Sequence, residues 1–237
     1  MAADIAQNLN AIRKRMEVAC TRARRDPSGI ALVAVSKGQP PEAVRSAADA
    51  GQLIFGENRV QEAKAKIPQC PGHARWHMIG HLQSNKARDA VPLFEMIESI
   101  DSLSLATEVN KWAEKSAKTM RALLEVNVAG ESSKFGYNPA RLLEEFLEVN
   151  SLPKIEIHGL MTVAPWAQDP QKVRPVFRRL RELKEQCEQK LGAALPDLSM
   201  GMSGDFEVAI EEGATIVRIG TALFGPRPKL VRESDGP

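Results

Sequence analysis

Cysteine is scarce in this chain: Cys20, Cys70 and Cys187 are the only three in 237 residues, far apart and without a Cys-x-x-Cys pair. An odd, scattered set is no disulfide framework and fits buried reduced thiols. Aromatic residues make up 5% of the chain, and Tyr137 is the only tyrosine. No basic run is interleaved with aromatics, and a formal net charge of +2 is too small to mark a nucleic-acid surface. No stretch approaches the length of an apolar membrane span, and the N-terminus, which carries Asp4, lacks an apolar segment of signal length. The expectation is a soluble cytoplasmic protein with no nucleic-acid or membrane partner, monomeric rather than oligomeric. Histidine is also rare. His73, His77 and His81 recur every fourth residue and would share a helix face, but the Trp76–Gly80 run reads as strand and scatters them, so no metal site is expected.

What is present is ordinary globular material, 43% hydrophobic and 26% charged, arranged as a repeating strand-and-helix pattern. Residues 4–25 place Ile5, Leu9, Ile12, Met16 and Ala19 at helical spacing. Short apolar runs then recur at 31–36, 53–55, 76–80, 95–100, 121–128, 155–161, 198–200 and 215–219, each followed by a helical stretch or, after the last, by a short tail. Eight such units in one chain of this length predict a single-domain α/β fold, a (β/α)8 TIM-like barrel with an extra N-terminal helix. The expected boundaries are 1–26 for that helix, 30–225 for the barrel and 226–237 for a polar tail. The tail is too short for a full eighth helix, so the N-terminal helix is expected to cover the barrel's outside near that gap.

The candidate chemistry lies at strand ends. Lys37 closes the apolar run Ala31-Leu32-Val33-Ala34-Val35-Ser36, with Gly38, Pro40 and Pro41 ending the strand. A lysine at the carboxyl end of an interior parallel strand is partly desolvated, which suits a Schiff-base amine; a solvated strand-end lysine is the plainer alternative. The loops after strands seven and eight are Gly201-Met202-Ser203-Gly204-Asp205 and Gly220-Thr221-Ala222. Each combines glycine with a hydroxyl, as phosphate loops do at this end of a barrel, though glycine and serine are also common turn residues. Arg218 lies inside the last strand among apolar neighbours, either against a cofactor's pyridine nitrogen or in a structural ion pair. Ser203 and Asp205 have no histidine near them in sequence, which gives a hydrolase triad no support. His158 reads as an interior residue, and the charged helices around Glu144 and Arg178–Glu188 as solvated faces.

Beyond these readings, segments from end to end resemble one family. They include Leu32-Val33-Ala34-Val35-Ser36-Lys37, Phe55-Gly56-Glu57-Asn58-Arg59-Val60-Gln61-Glu62 and Trp76-His77-Met78-Ile79-Gly80-His81-Leu82-Gln83-Ser84-Asn85-Lys86. Glu125-Val126-Asn127, Ser133-Lys134-Phe135-Gly136, Ser199-Met200-Gly201-Met202-Ser203 and Val217-Arg218-Ile219-Gly220-Thr221 continue the match. The chain thereby resembles the pyridoxal phosphate homeostasis proteins, which are similar to the N-terminal barrel of alanine racemase. The resemblance implies pyridoxal 5'-phosphate as cofactor, Lys37 as its Schiff-base lysine, and Ser203, Gly220 and Thr221 at its phosphate. It likewise implies Arg218 beside the pyridine nitrogen and Asn58 near the ring. Arg59 stands where the family often has tyrosine, and His81 where many members have proline.

Three functions compete at this point. The resemblance implies a non-catalytic binder that takes part in pyridoxal phosphate homeostasis, with amino acids as further ligands and apo-enzymes as cofactor acceptors. An amino-acid racemase would need a second base opposite Lys37, and the one tyrosine, Tyr137, lies in the loop after strand five. A barrel aldolase would use Lys37 on substrate carbonyls without the cofactor.

Overall fold

The computed structural model describes residues 4–131 and 134–226; Ser133 and the expected tail beyond Pro226 lie outside the described residues. The chain opens with α1 (Ile5–Ala23), capped by Asp4, whose carboxylate accepts from Gln7 N at 2.9 Å. Eight strands follow: β1 (Ala31–Val35), β2 (Ile54–Glu57), β3 (Arg75–Met78), β4 (Met96–Ile100), β5 (Met120–Glu125), β6 (Ile155–Met161), β7 (Asp197–Ser199) and β8 (Ile216–Ile219). All pair in parallel and in order, and β8 returns to β1, closing the barrel. Between them lie α2 (Pro41–Asp49), α3 (Val60–Lys66), α4 (Ala87–Leu93), α5 (Leu103–Lys115), α6 (Pro139–Asn150), α7 (Arg174–Leu191) and α8 (Phe206–Glu211), with α9 (Thr221–Phe224) last. The architecture is a (β/α)8 barrel, as the eightfold alternation predicts.

Alternation along each strand divides the apolar side chains into two cores. Leu32, Ala34, Phe55, Met78, Ile97, Leu124, Leu160 and Val217 face outward and are buried beneath the helices. Val33, Val35, Ile79, Met96, Leu123, Met161 and Ile216 fill the barrel interior. Helix α9 is a single turn, and α1 packs on α8, α9 and α2 beside it. Leu9, Ile12 and Met16 are buried there, each contributing about 1.5–3 kcal/mol relative to exposure. Strand β2 runs on through Gly56 and Glu57, past the apolar run 53–55. Gly56 has no side chain to fit: a Cβ there would lie 2.8 Å from both Val33 Cγ1 and Ile79 Cδ1. At the far end of β6, a Cβ on Gly159 would lie 1.7 Å from Asp197 O, so β7 can approach only a glycine.

The interior is polar at both ends. At the floor, Arg121 bonds Glu95 and His158 at 3.3 Å each, His158 lies 3.4 Å from Asp197, and Arg75 pairs with Glu95. Higher up, Glu98 accepts from Ser199 Oγ at 2.6 Å and meets His77 Nδ1 at 2.7 Å. Arg218 donates to Ser199 Oγ at 2.5 Å and to Thr162 O at 2.8 Å. Burial opposes the Glu98 charge, but His77, Arg218 and Ser199 together hold its pKa below the usual carboxylate range.

Glu125, at the end of β5, has no such set of partners: its Oε2 is buried with none. Burial, against which the Arg218 charge works only in part, pushes its pKa up to about 7. Between the ordinary value of 4.5 and about 7 the unfolded chain has released this proton while the folded chain keeps it, so stability falls as pH rises through that window. Glu125→Gln removes the term. In denaturant titrations of the cofactor-free protein, the variant is expected to gain on the parent between about pH 5 and pH 8, by up to roughly 3 kcal/mol. Parallel pH curves for the two proteins would contradict this.

Candidate functional site

The carboxyl ends of the strands gather the predicted residues at one mouth. Val33 and Val35 point into the barrel, and Lys37, two residues beyond Val35, continues their side of β1 in a half-buried turn. The β1–β2 register pairs Val35 with Gly56, so Lys37 and Asn58 each lie two residues further along neighbouring strand ends. On the other flank Gly220 packs against β1, where a Cβ would lie 3.4 Å from Val35 Cβ. Barrel closure thus sets Gly220, Lys37 and Asn58 on adjoining strand ends.

The backbone around Lys37 is held by a buried ionic cluster. Lys66, on α3, donates to Ser36 O at 2.7 Å, to Glu57 Oε1 at 2.7 Å and to Glu62 Oε1 at 2.9 Å. Ser36 Oγ donates to Glu57 Oε1 at 2.7 Å, and Gly38 N to Glu62 Oε1 at 2.5 Å. Ser36 is therefore tied to Glu57 and Gly38 to Glu62, with Lys66 bridging the two carboxylates. Burial raises the Glu57 pKa despite Lys66 and Ser36; half-exposed Glu62 is held below its usual range, because Lys66 and the Gly38 amide outweigh its desolvation. Removing one partner of such a group costs about 3–5 kcal/mol.

The loops after β7 and β8 meet across the mouth. Ser203 Oγ accepts from Ala222 N, in the first turn of α9, at 3.2 Å. Asp205 accepts from Met202 N at 2.6 Å, closing the turn that presents Ser203, and burial raises its pKa. Gly201 starts this turn at φ +92°, and a Cβ there would lie 2.5 Å from Ala209 Cβ. Thr221 is exposed at the start of α9, and a Cβ at Gly204 would meet only open space. Among the described residues, the buried acceptors near the mouth without a hydrogen-bond partner include Glu57 Oε2, Asn58 Oδ1 and Glu125 Oε2.

Tyr137 is elsewhere. It pairs its backbone with β5 beyond Glu125, and its ring lies 2% exposed in the outer core, beside Arg141 and Glu145 of α6. Burial, with the neighbouring Glu145 carboxylate, raises its pKa. His77 and His81 have separate partners, Glu98 and Asp101, and among the described residues no group of three His, Cys, Asp or Glu is placed to hold a metal ion.

The structure brings Lys37, Asn58, Ser203, Gly220 and Thr221 to the rim, with Arg218 directly beneath as part of the interior network. Sequence reasoning missed the residues that support them: Ser36, Glu57, Glu62 and Lys66 around the lysine, and His77, Glu98, Thr162 and Ser199 around the arginine. The signal for Glu98 was present, since a carboxylate inside the apolar run 95–100 needs a buried partner of opposite charge.

The family model described as "Alanine racemase, N-terminal domain" matches residues 7–228. The pyridoxal phosphate homeostasis protein of Aquifex aeolicus is 45% identical over 222 residues, 93% of this chain and 97% of its own. That of Bos taurus is 42% identical over 235 residues, 92% of this chain and 86% of its own. The solved structure of PipY from Synechococcus elongatus with pyridoxal phosphate bound is 38% identical, covers 93% of this chain and 100% of its own, and has a TM-score of 0.82. An alanine racemase of Clostridium difficile shares the fold, at a TM-score of 0.75 and 15% identity over 95% of this chain and 57% of its own. With this barrel, this rim and relatives alike over nearly their whole length, the chain belongs to the alanine racemase N-terminal domain family and, within it, to the pyridoxal phosphate homeostasis proteins.

Proposed function

We propose that this chain binds pyridoxal 5'-phosphate covalently through Lys37 and serves its homeostasis without strong turnover of its own. The observation that carries the reading is the row Gly220–Lys37–Asn58 on adjoining strand ends, with the Ser203 and Thr221 loops meeting on one side of it. The residues fit the cofactor. Its phosphate would lie against Ser203, Gly220 and Thr221, where glycine backbone and hydroxyl donors meet. Its pyridine nitrogen would lie beside Arg218 and its ring near Asn58, whose buried carboxamide oxygen has no hydrogen-bond partner among the described residues. When bound, the cofactor supplies an aldehyde that condenses reversibly with amines and a ring that can take up negative charge.

The protein's own groups favour holding over turning over. Arg218 is a buried guanidinium; burial lowers its pKa and Glu98, Glu125 and Asp205 counter that, so it stays cationic and disfavours a proton on a nitrogen beside it. Racemisation needs proton donors on both faces of the ring. Lys37 supplies one, and the only tyrosine is packed against α6 on the outside of the barrel. The relatives' naming as homeostasis proteins supports the same reading. A soluble protein that keeps a reactive aldehyde on a reachable lysine would hand it to apo-enzymes as acceptors.

Borohydride reduction of the loaded protein, followed by peptide mapping, is expected to place the pyridoxyl group on Lys37, and Lys37→Ala to abolish the visible absorption band. A label mainly on Lys86 or Lys134 would overturn the assignment. Pyridoxal without its phosphate is expected to bind far more weakly, and the double change Ser203→Ala with Thr221→Ala to narrow that gap. Each charge-assisted hydrogen bond lost costs about 1.5–3 kcal/mol, roughly tenfold or more in affinity. Equal affinity for the two vitamers would rule out these phosphate loops. Cα–H exchange of added amino acids in heavy water is expected to stay far below about one per second and to be unchanged in Tyr137→Phe. Faster exchange that disappears in that variant would make the protein a racemase.

A further inference from the structure

On the side of Lys37 away from the phosphate loops, the mouth opens into a cleft of about 630 Å³. Its floor begins at Asn58 and Met78; Arg59 and Gln61 line it from α3's end of β2, His81, Gln83 and Lys86 from the segment after β3, and Phe135 from the loop after β5. A hollow of this size suits a small molecule with some water. Its polar lining is one-sided in charge. Arg59 and Lys86 make no ion pair among the described residues, although the Arg59 charge also reaches Glu62. Glu62 is already bonded to Lys66 and to the Gly38 amide. The other nearby acids are likewise engaged, Asp101 with His81 at 3.0 Å and Glu131 with Lys134 at 2.6 Å. His81, held by Asp101, stacks on Phe135 at 3.7 Å between centroids, and this pair forms a wall. The cleft therefore presents two cations, two side-chain amides and an aromatic wall, and no carboxylate is among its lining residues.

The position of the cleft narrows the class of ligand. Around the rim the order is β7 and β8 with the phosphate loops, then β1 with Lys37, then β2 and β3 with the cleft. Strand β3 continues beside β2, with Ile79 N donating to Glu57 O at 3.0 Å, so Gly80 and His81 follow next to Asn58. An amine that meets the aldehyde at Lys37 would find this cleft beside it, across Lys37 from the bound phosphate. We propose that the cleft receives a dicarboxylate, the two acid groups of an acidic amino acid whose amine reaches the Lys37 position. This assignment rests on the cofactor reading above only for the amine step; the acid-binding cleft stands without it.

Two measurements separate the two. Calorimetry of the cofactor-free protein with glutarate, which has no amine, is expected to show binding that weakens as salt is raised. Arg59→Gln and Lys86→Gln are each expected to lower that affinity about tenfold, the worth of one charge-assisted hydrogen bond. With the loaded protein, glutamate and aspartate are expected to perturb the visible band at roughly tenfold lower concentration than alanine or lysine, and Arg59→Gln with Lys86→Gln to erase that preference while leaving the band itself. Glutarate binding without any band on adding pyridoxal phosphate would defeat the cofactor reading and leave the cleft assignment standing. No glutarate binding, binding undiminished in the double variant, or binding of an acidic peptide but not of glutarate would overturn the cleft assignment. Should the double variant fail to fold, exposed Arg59→Gln alone carries the same comparison.

Discussion

A guanidinium sealed inside a parallel barrel constrains everything near it. Arg218 is 4% exposed on β8, and an unpaired charge there would cost several kcal/mol. Its compensation comes from four other strands or their ends: Ser199 on β7, Thr162 after β6, Glu98 on β4 and the Glu125 charge at the end of β5. His77 on β3 then satisfies the other oxygen of Glu98. One charged side chain therefore dictates the polar character of a whole level of the interior. It also joins opposite walls of the barrel by directional bonds, where apolar packing alone would allow small rotations of one strand against another. The rim above inherits that rigidity.

A second ionic group does a separate job at the neighbouring strands. Lys66 and Lys37 are both lysines near the mouth, yet Lys66 is tied by three hydrogen bonds to Glu57, Glu62 and Ser36 O. The cluster fixes the carbonyl before Lys37 and the amide after it. The turn that carries Lys37 is thus bonded on both sides.

Much of this was legible in the sequence, and the limits are physical. Strand and helix positions follow from hydrophobic period, and all eight strands appear within a few residues of their apolar runs. The extension of β2 through Gly56 and Glu57 was hidden because glycine and glutamate are poor strand formers; only the packing of Gly56 against Val33 and Ile79 explains it. The positions of Lys37, Ser203, Gly220 and Thr221 after strand ends, where chemistry in parallel barrels collects, were legible. The support for them was not. Glu62 and Lys66 lie on a helix at i,i+4 and read as a solvated pair, and nothing in the sequence says that this helix face turns toward the Lys37 loop. Tyr137 shows the converse: its loop left it open as a second base, and its burial beside α6 is a tertiary fact that no local pattern carries.

The rim can then be understood as a division of charge around one amine. Toward β7 and β8 the donors are neutral, hydroxyls and backbone amides set by turns that only glycine permits, and such donors suit a group that is to be held in a defined pose. Toward β2 and β3 the donors are flexible cations, Arg59 and Lys86, whose long side chains attract an anion without fixing its geometry. Lys37 lies between the two along the rim. The proposed homeostasis role would gain from this asymmetry: a bound cofactor would be gripped by short, oriented contacts, and exchanging groups would be met by longer-range, salt-sensitive ones that form and break quickly.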